Sequence, residues 1–379
     1  MKILLLRNMS NQININSYNV QEIGLAKALA NKGHECDVVL FSETDAYKKE
    51  IIKTGGEGGF ITVHWIHGFS IYNNAVYFKL IKEKFFDKYD VIQTHEYNQL
   101  MTFILPFVTR VPKIIYHGPY QDIRNKTVQK LFDLIFLPYI RRHYKNVIVK
   151  SNLSKDYLLQ KGFKDVNTIG VGLDQNRFKN CLPLNDRLAG IYKESSGEYP
   201  ILVYIGTFRK WKNTPFLLDI AQALKKRTKF KLLVIGDGEG ENREEFFNKM
   251  HDLSLEDCVQ YAESVNQREI SNIYIYSDLL LLPSTYEIFG MVLLESLYFN
   301  CPILTSYNGG SSVLLKEAYP EMVIEGFEAE KWAERIAVLL QNKGKYKLRE
   351  YVNSKHTWDC ISREFETRYS EAVKKPEET

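Results

Sequence analysis

The chain has 379 residues, of which 45% are hydrophobic and 25% are charged, a composition typical of a globular protein long enough to form two cores of domain size. Its 50 Lys and Arg residues nearly balance its 46 Asp and Glu residues, so the net charge of +4 gives no sign of nucleic-acid binding. The cysteines are far apart and have no histidine at metal-ligand spacing, which excludes a disulfide framework and a zinc site and favours a cytoplasmic location. They are Cys36, Cys181, Cys258, Cys301 and Cys360.

No stretch reaches the ~18 uninterrupted apolar residues that a membrane span needs. The apolar run near the start, at residues 3–6, is also too short for a signal peptide. We therefore expect a protein that does not cross a membrane.

Short apolar runs alternate with helix-length segments in the first half of the chain. The run at residues 3–6 predicts a first strand buried on both faces, and the amphipathic segment 23–30 predicts a helix that stops at Gly33. Further strands are predicted at residues 38–41, 61–65, 91–94, 113–117, 147–150 and 166–171. This alternation indicates right-handed crossovers and hence an α/β domain with a doubly wound parallel sheet.

A second alternation follows a connection rich in Pro, Asn, Asp and Gly at residues 181–200, and we predict a domain boundary near residue 182. The predicted strands are 201–205, 230–235, 259–262, 279–282 and 302–305, and the predicted helices are 214–223, 243–251, 268–276 and 290–299. The sequence thus predicts two Rossmann-like domains, 1–182 and 183–356, with a ligand cleft at the carboxyl ends of their strands. The segment 357–379 has a helical pattern after the second alternation. That this terminal helix packs back on the first domain is implied only by the family resemblance given below.

The most informative segment is 283–295, PSTYEIFGMVLLE, which joins a predicted strand to a predicted helix. Gly290 lets the backbone approach a ligand closely, and the unpaired N–H groups at the start of a helix suit a phosphate. The ionised carboxylates of Glu287 and Glu295 can accept hydrogen bonds from sugar hydroxyls. This combination predicts a nucleotide-sugar site. In the alternative interpretation, Glu287 caps the helix and Glu295 faces solvent.

The Glu-x7-Glu spacing of that segment, followed by Asn308-Gly309-Gly310, resembles the signature of retaining GT-B glycosyltransferases of family four. The resemblance implies two Rossmann-like domains facing a central cleft, a nucleotide-sugar site in the C-terminal domain, and no metal or other cofactor. It also implies that Glu287 contacts hydroxyls of the donor sugar and that Glu295 holds the ribose. The backbone that would meet the sugar and the diphosphate belongs to Phe289, Gly290, Met291 and Val292.

The segment 206–213, which begins at Gly206, is similar to the G-R-x5-K-G loop of that family. Lys212 matches the lysine of the loop, and its charge would stabilise the leaving diphosphate without a metal. Thr207 stands where relatives have arginine, and Arg209 is the candidate to supply the missing charge. Taken alone, this segment is also typical of a solvated basic turn.

Other candidate residues come from loops that follow predicted strands. His117 matches the cleft-facing histidine of the family, which implies contact with the donor sugar, although a histidine at such a place is also commonly structural. Gly236, in the segment 235–240, and Val265 would line the nucleotide pocket in the pattern of the family. Asn16 lies in the loop after the first strand, where relatives often carry Gly-Gly, and is a candidate hydrogen-bond donor.

The resemblance further implies a retaining transfer by front-face substitution, with a UDP-sugar preferred over a GDP-sugar. The expected acceptor is a hydroxyl of a glycan or a lipid-linked glycan, in surface polysaccharide or glycoconjugate synthesis. No residue can be nominated from the sequence as a general base or a carboxylate nucleophile. A nucleotide-sugar epimerase, a phosphorylase and a catalytically silent GT-B subunit remain as alternatives, the last because Thr207 and the first loop depart from the family pattern.

Two patches of basic and apolar residues in the first domain are typical of a surface that contacts an anionic membrane. The first combines Arg124, Lys126, Lys130, Arg141, Arg142, Lys145 and Lys150 with Leu131, Phe132, Leu134, Ile135, Phe136 and Leu137, and the second combines Lys79, Lys82, Lys84 and Lys88 with Phe78, Phe85 and Phe86. We predict peripheral contact with the inner face of a membrane. In the alternative interpretation, the apolar residues pack on the sheet and the lysines are simply solvated.

Overall fold

The structure, a computed structural model, describes residues 1–15, 20–54, 59–122, 126–195, 197–238 and 241–374. The strands are β1 (Lys2–Leu6), β2 (Glu35–Ser42), β3 (Lys48–Lys53), β4 (Phe60–His67), β5 (Phe69–Ile71), β6 (Asn74–Val76), β7 (Val91–His95), β8 (Lys113–His117), β9 (Val147–Val149), β10 (Val166–Thr168), β11 (Ile201–Ile205), β12 (Lys231–Ile235), β13 (Val259–Ala262), β14 (Leu279–Leu282), β15 (Ile303–Ser306) and β16 (Val323–Ile324). The helices are α1 (Gln21–Ala30), α2 (Phe78–Lys82), α3 (Leu100–Val108), α4 (Lys126–Ile135), α5 (Leu137–His143), α6 (Asn152–Gln160), α7 (Asp186–Ser195), α8 (Thr214–Lys225), α9 (Glu241–Asp252), α10 (Ile270–Tyr276), α11 (Met291–Tyr298), α12 (Gly309–Leu314), α13 (Ala329–Gln341), α14 (Leu348–Lys355) and α15 (Trp358–Lys374).

The chain divides into two compact units. Unit 1 comprises Met1–Asp174 together with Thr357–Thr379, and unit 2 comprises Gln175–His356. The position predicted for the boundary, residue 182, lies inside unit 2. There the Leu182 amide donates to the Arg268 carbonyl at 2.9 Å, and the Leu182 carbonyl accepts from the side chain of Asn272 at 2.7 Å. These bonds tie the connecting segment to the region of α10.

Unit 1 is built on a sheet with the strand order β10-β9-β8-β7-β1-β2-β4-β3 in the described part of the chain. Its strands are parallel except β3, which pairs antiparallel with β4. From β1 the chain proceeds outward in one direction through β2 and β4, and from β7 it proceeds in the other. The order therefore reverses between β1 and β7, and such a reversal is where α/β sheets bind ligands at their carboxyl edge.

Unit 2 contains a second sheet, with the order β13-β12-β11-β14-β15-β16 across its described strands, all paired in parallel. Here the reversal lies between β11 and β14. Leu279 to Leu282 are each fully buried, which is why these strands read as continuous apolar runs. The reversal brings the loops after β11 and β14 side by side, and the Thr285 amide donates to the Trp211 carbonyl at 2.8 Å.

The alternation of strands and helices predicted for both halves is confirmed, with differences at sheet edges. The predicted strand 166–171 ends at Thr168, because Gly170 turns the chain with a φ of +87°. The short strands β3, β5, β6 and β16 were not predicted. The first of these, Lys48–Lys53, is mostly polar, and the β5–β6 hairpin has strands of only 3 residues, so neither gives the long apolar run of a buried strand.

Helix α15 packs against elements of unit 1. The Trp358 amide donates to the Leu173 carbonyl at 3.2 Å, and the indole of Trp358 lies so close to Gly24 and Gly172 that neither glycine has room for a Cβ atom. Farther along the helix, the Tyr369 hydroxyl donates to Gln93 on β7 at 2.6 Å. Unit 1 is therefore assembled from both ends of the chain.

Within the described ranges, no helix is both long enough and apolar enough to span a bilayer.

Candidate functional site

The loops after β11 and β14 bring a cation and a carboxylate together at the reversal point of unit 2. Lys212 ends the short 3-10 turn Lys210–Lys212, and Glu287 lies in the loop before α11. The Lys212 ammonium donates to the Glu287 carboxylate, and the two side chains are only 16% and 15% exposed. The Lys212 ammonium is therefore paired with a carboxylate and is not simply solvated.

The N-cap residue of α11 has no side chain that could cap the helix. Its N-cap position is Gly290, with a φ of +71°, and a Cβ atom there would lie 2.8 Å from Cγ of Glu287. Met291 and Val292, the first residues of the helix, are half-exposed, whereas Phe289 is buried. An uncapped helix start directs its first N–H groups and the positive end of its dipole at the space before it, which suits an anion.

The loop that carries Glu287 rests on the start of α12. The Gly309 amide donates to the Glu287 carbonyl at 2.9 Å, and a Cβ atom at Gly310 would overlap the carbonyl oxygen of Phe289. Asn308 and Ser311 form a capping box that secures this turn, with the Ser311 amide donating to the Asn308 side chain at 3.0 Å. The glycine pair next to Asn308 thus allows two loops to pack backbone to backbone.

Glu295 is buried on α11, with 3% of the residue exposed, so the interpretation that it faces solvent is wrong. The Tyr274 hydroxyl donates to the Glu295 carboxylate at 3.1 Å. A buried carboxylate needs such donors because burial without hydrogen bonds is costly. The contact of Glu295 with a ribose stays a prediction.

The remaining predicted residues of unit 2 lie on loops at the same edge of its sheet. Gly206 and Gly236 follow β11 and β12 and are in such close contact that a Cβ atom at Gly236 would overlap the Gly206 carbonyl. Val265, in the loop after β13, is half-exposed. Arg209 is exposed, and its guanidinium lies 6.0 Å from the centre of the Trp211 ring. Lys212 is therefore the basic residue of this loop that contacts Glu287.

His117 lies in unit 1, at the carboxyl end of β8, and is fully buried. Its Nδ1 pairs with the Glu96 carboxylate, which also accepts from the Gly118 amide at 3.2 Å. The ring stacks on Tyr157, and Nε2 has no hydrogen-bond partner among the described residues. Burial alone would raise the pKa of Glu96, but His117 and Lys150 outweigh it and hold that pKa well below its usual range.

A second set of buried charges lies at the reversal point of the unit 1 sheet. Arg7, which follows β1, donates to Glu22 at 2.8 Å, and Nδ1 of His95 lies 3.2 Å from the same carboxylate oxygen. Burial lowers the pKa of His95 to about 4, so the imidazole is neutral at pH 7. Sequence analysis missed Glu22, His95 and Glu96. Polar residues directly after a buried strand, as in the stretch QTHE at 93–96, are the signal that could have identified the last two.

Several residues of the two predicted basic patches are buried in the structure and do not lie on an exposed surface. Phe86 is buried, Phe85 packs on the same core, and Lys88 lies 3.6 Å from Asp37, so of the aromatic rings in the second patch only Phe78 is exposed, at 63%. In the first patch, Lys150 is directed inward, because its ammonium lies 4.9 Å from the centre of the buried Tyr116 ring. Burial lowers the pKa of Lys150. The large apolar side chains of α4 that stay exposed are Val128, Leu131, Leu134 and Ile135, at 50%, 56%, 77% and 54%.

Two of the predicted residues cannot be placed. Asn16 and Arg124 lie outside the described residues. In the ranges that the structure covers, no group of three or more His, Cys, Asp or Glu side chains could hold a metal ion. Independence from metals stays a prediction.

Comparison with known families decides the class of protein. Residues 192–356 match the family described as glycosyl transferases group 1, and residues 23–177 match glycosyltransferase family 4. The chain belongs to glycosyltransferase family four. The loops of Lys212 and Glu287 fall within the first of these matched regions.

The curated relatives of this family-four glycosyltransferase share only a low sequence identity with it. Mannosylfructose-phosphate synthase of Agrobacterium fabrum is 28% identical over 166 residues, which cover 42% of the chain and 36% of that relative. A D-inositol 3-phosphate glycosyltransferase of Corynebacterium urealyticum is 22% identical over 188 residues, covering 47% and 44%. The chain therefore spans less than half the length of these curated relatives. An uncharacterized glycosyltransferase of Methanocaldococcus jannaschii is 22% identical over 382 residues, covering 92% and 93%.

Solved structures show that this glycosyltransferase has the GT-B fold, with its two Rossmann-like domains. Sucrose-phosphate synthase from Thermosynechococcus elongatus superimposes with a TM-score of 0.72 at 18% identity, covering 98% of the chain and 99% of that structure. HepE from Anabaena, solved in complex with UDP, superimposes with a TM-score of 0.71 at 16% identity, covering 98% and 100%. The predicted fold class is confirmed.

Proposed function

We propose that the protein is a retaining, metal-independent hexosyltransferase. It moves a sugar from a nucleotide-diphosphate sugar to a hydroxyl of a glycan or lipid-linked acceptor, in surface polysaccharide or glycoconjugate synthesis. The observation that carries the proposal is the pair of Lys212 and Glu287 beside the uncapped start of α11, at the reversal point of unit 2. An ammonium and a helix start together suit a diphosphate, and the adjacent carboxylate suits sugar hydroxyls.

UDP is the proposed nucleotide. The support comes from HepE, a structural neighbour that was solved with UDP and with UDP-glucose. In the proposed binding mode, the loops that contain Gly206, Gly236 and Val265 line the nucleotide pocket, and Glu295 accepts hydrogen bonds from the ribose. Glu295 is suited to this task because Tyr274 already holds its carboxylate in place.

The proposed reaction is a front-face substitution. The bond between the anomeric carbon and the diphosphate oxygen breaks, and the acceptor oxygen bonds to the anomeric carbon on the same face. The proton of the acceptor hydroxyl passes to the departing phosphate oxygen. Lys212 and the first N–H groups of α11 stabilise the negative charge that develops on the diphosphate. Glu287 holds Lys212 in position and accepts hydrogen bonds from the sugar.

A thermal-shift titration with UDP, GDP and UDP-glucose tests the donor site. UDP should raise the midpoint of unfolding, since a ligand that binds only the folded protein stabilises it by mass action. Glu295→Gln, which keeps the size of the side chain and removes its charge, should weaken UDP binding by about tenfold or more. Its circular dichroism spectrum and its unfolding midpoint without nucleotide serve as the control for folding. If no nucleotide stabilises the protein, the catalytically silent subunit becomes the better interpretation.

Proton NMR of the transfer product tests the stereochemical part of the proposal. The anomeric configuration of the donor should be preserved. An inverted product would contradict front-face substitution while leaving the donor site intact.

Peripheral membrane contact is proposed for helix α4 alone. Its exposed residues Leu131 and Leu134 lie next to Lys126 and Lys130, a combination that favours an anionic bilayer surface. The protein should co-sediment at low salt with vesicles of phosphatidylglycerol and phosphatidylcholine, and Leu131→Ser with Leu134→Ser should abolish this binding. Absence of co-sedimentation by the unaltered protein would remove the membrane from the proposal.

A further inference from the structure

A cavity of about 300 Å³ lies in unit 1, at the carboxyl end of β4. His67, the last residue of this strand, lines it. Strands β4, β2, β1 and β7 are parallel, so their carboxyl ends lie at the same edge of the sheet. The cavity therefore lies at the edge that also carries Arg7, which follows β1, and Glu96, which follows β7. That edge is where sheets of this kind bind ligands. None of the residues named for the donor site belongs to it.

Three exposed aromatic rings line the cavity together with the buried side chains of Ile66 and Val76. Tyr47, Phe69 and Phe78 are 46%, 55% and 63% exposed, which is unusual for large apolar side chains that line one concave surface. The centres of the two phenylalanine rings are 6.5 Å apart and their planes meet at 47°, so together they form an open notch.

The ring of Tyr47 is held in place from behind. Its hydroxyl lies 2.7 Å from Nδ1 of the buried His64, and Nε2 of that histidine lies 3.1 Å from Asp37. A ring fixed in this way loses little conformational freedom when a ligand packs on it. The arrangement is therefore preorganised for binding.

An acidic side chain, a basic side chain and a histidine lie beside the aromatic rings. The Asp45 carboxylate is 95% exposed and lies 3.4 Å from Nε2 of His67, and the Lys79 ammonium lies 5.3 Å from the centre of the Tyr47 ring. These groups can donate to and accept from hydroxyls. An acyl chain would make no use of them, whereas a sugar ring offers C–H groups to the aromatic faces and hydroxyls to the polar border.

We propose that this cavity binds a pyranose residue of a glycan acceptor. The sugar packs its C–H face against Phe69, Phe78 and Tyr47 and exchanges hydrogen bonds with Asp45, His67 and Lys79. As an acceptor subsite the inference rests on the proposed transferase function. Sugar binding by unit 1 can nevertheless be measured without a donor.

Saturation-transfer-difference NMR on the full chain tests the proposal. The probes are the methyl α- and β-glycosides of glucose, galactose, mannose and N-acetylglucosamine. At least one of them should receive saturation at its ring protons, and Phe78→Ala and Phe69→Ala should each weaken its binding by about three- to tenfold. Phe60→Ala is the matched control, because Phe60 is 56% exposed and is the first residue of β4, whereas the cavity lies at the other end of that strand, beside His67.

Three results would overturn the proposal. They are the absence of saturation transfer to every glycoside, unchanged binding in the variant that lacks both Phe69 and Phe78, and displacement of the bound glycoside by UDP, which would assign it to the donor site. A preserved UDP-induced thermal shift in Phe78→Ala shows that the variant is folded. If UDP binding fails while glycoside binding persists, the proposed transferase function falls and the sugar site stands.

Discussion

Lys212 and Glu287 are separated by 75 positions in the sequence, yet their side chains form one ion pair. Lysine and glutamate are both common in exposed loops, so the local sequence around either residue does not predict the pair. The pair is defined by the neighbouring positions of β11 and β14 in the sheet, which place the two following loops in contact. The chemistry of the proposed donor site is therefore set by single side chains, but their pairing is set by strand order.

Replacing Lys212 with methionine should lower turnover more than it lowers donor affinity. The substitution keeps the length of the side chain and removes the charge that would oppose the charge on the leaving diphosphate. We expect kcat to fall by about two to three orders of magnitude. The measurement is the release of UDP from whichever UDP-sugar stabilises the protein.

Lys210→Met is the control for this substitution, because Lys210 is an exposed residue of the same short turn. It should leave kcat within about twofold, as expected for a surface change. If kcat fell equally in the two variants, turnover would depend on the net charge of the loop rather than on the position of Lys212. An unchanged kcat in Lys212→Met would contradict the role proposed for this residue.

At the scale of elements, the proposed donor site depends on how the loop before α11 rests on the start of α12. Gly309 and Gly310 permit this contact, since a Cβ atom on either residue would overlap a carbonyl of the segment 287–289. Helix α11 itself is only 8 residues long and has no side-chain cap, so its start is positioned by this packing. A short helix supplies the N–H groups, and its neighbour determines where they point.

Gly310→Ala should destabilise unit 2 and weaken UDP binding together. The added methyl group must displace the backbone carbonyl of Phe289, and we expect a loss of about 1–3 kcal/mol in the free energy of unfolding. Chemical denaturation with and without UDP measures both effects.

Gly190→Ala provides the opposite case within the same unit. Gly190 lies inside helix α7, and a Cβ atom there would have no neighbour within 4 Å. Alanine should therefore raise the free energy of unfolding by about 0.4–1 kcal/mol and leave UDP binding unchanged. If Gly310→Ala changed neither the free energy of unfolding nor UDP binding, the loop would have adjusted, and the contact between the two loops would not position the proposed site.

At the scale of the whole molecule, unit 1 contains both ends of the chain. Trp358 begins α15 at 4% exposure and packs where Gly24 and Gly172 leave room for it, so the last helix completes the core that the first strands begin. Unit 2 is continuous and contains the proposed donor site, whereas the proposed sugar cavity lies in unit 1. Donor and sugar binding should consequently respond to different substitutions.

Trp358→Ala should destabilise unit 1 by about 3–5 kcal/mol, the usual loss when a buried tryptophan is truncated. Hydrogen exchange should quicken at the amides of α1, β7 and β8, which α15 contacts, and remain unchanged in β11 and β14. Trp211→Ala is the control, because this tryptophan is 43% exposed and its loss should change stability little. Quicker exchange in β11 and β14 alone would contradict the assignment of α15 to unit 1.

The sequence by itself determined the class of fold and the family. Strands buried on both faces must be apolar along their length, so the runs at residues 3–6 and 279–282 identify strands without any tertiary information. The segment that contains Glu287 and Glu295 was likewise predicted to join a strand to a helix, and it does so between β14 and α11. Edge strands such as β3 escaped prediction because a strand with one neighbour can be polar.

Only the tertiary structure decided which side chains are exposed and which are paired. Phe86 and Leu134 lie in similar basic, apolar segments, yet the first is fully buried and the second is 77% exposed. Glu22, in the first turn of α1, meets Arg7 and His95 because β1 and β7 are neighbours and end at the same edge of the sheet. Burial and pairing depend on contacts between residues far apart in the chain, and a local pattern of residue types does not contain those contacts.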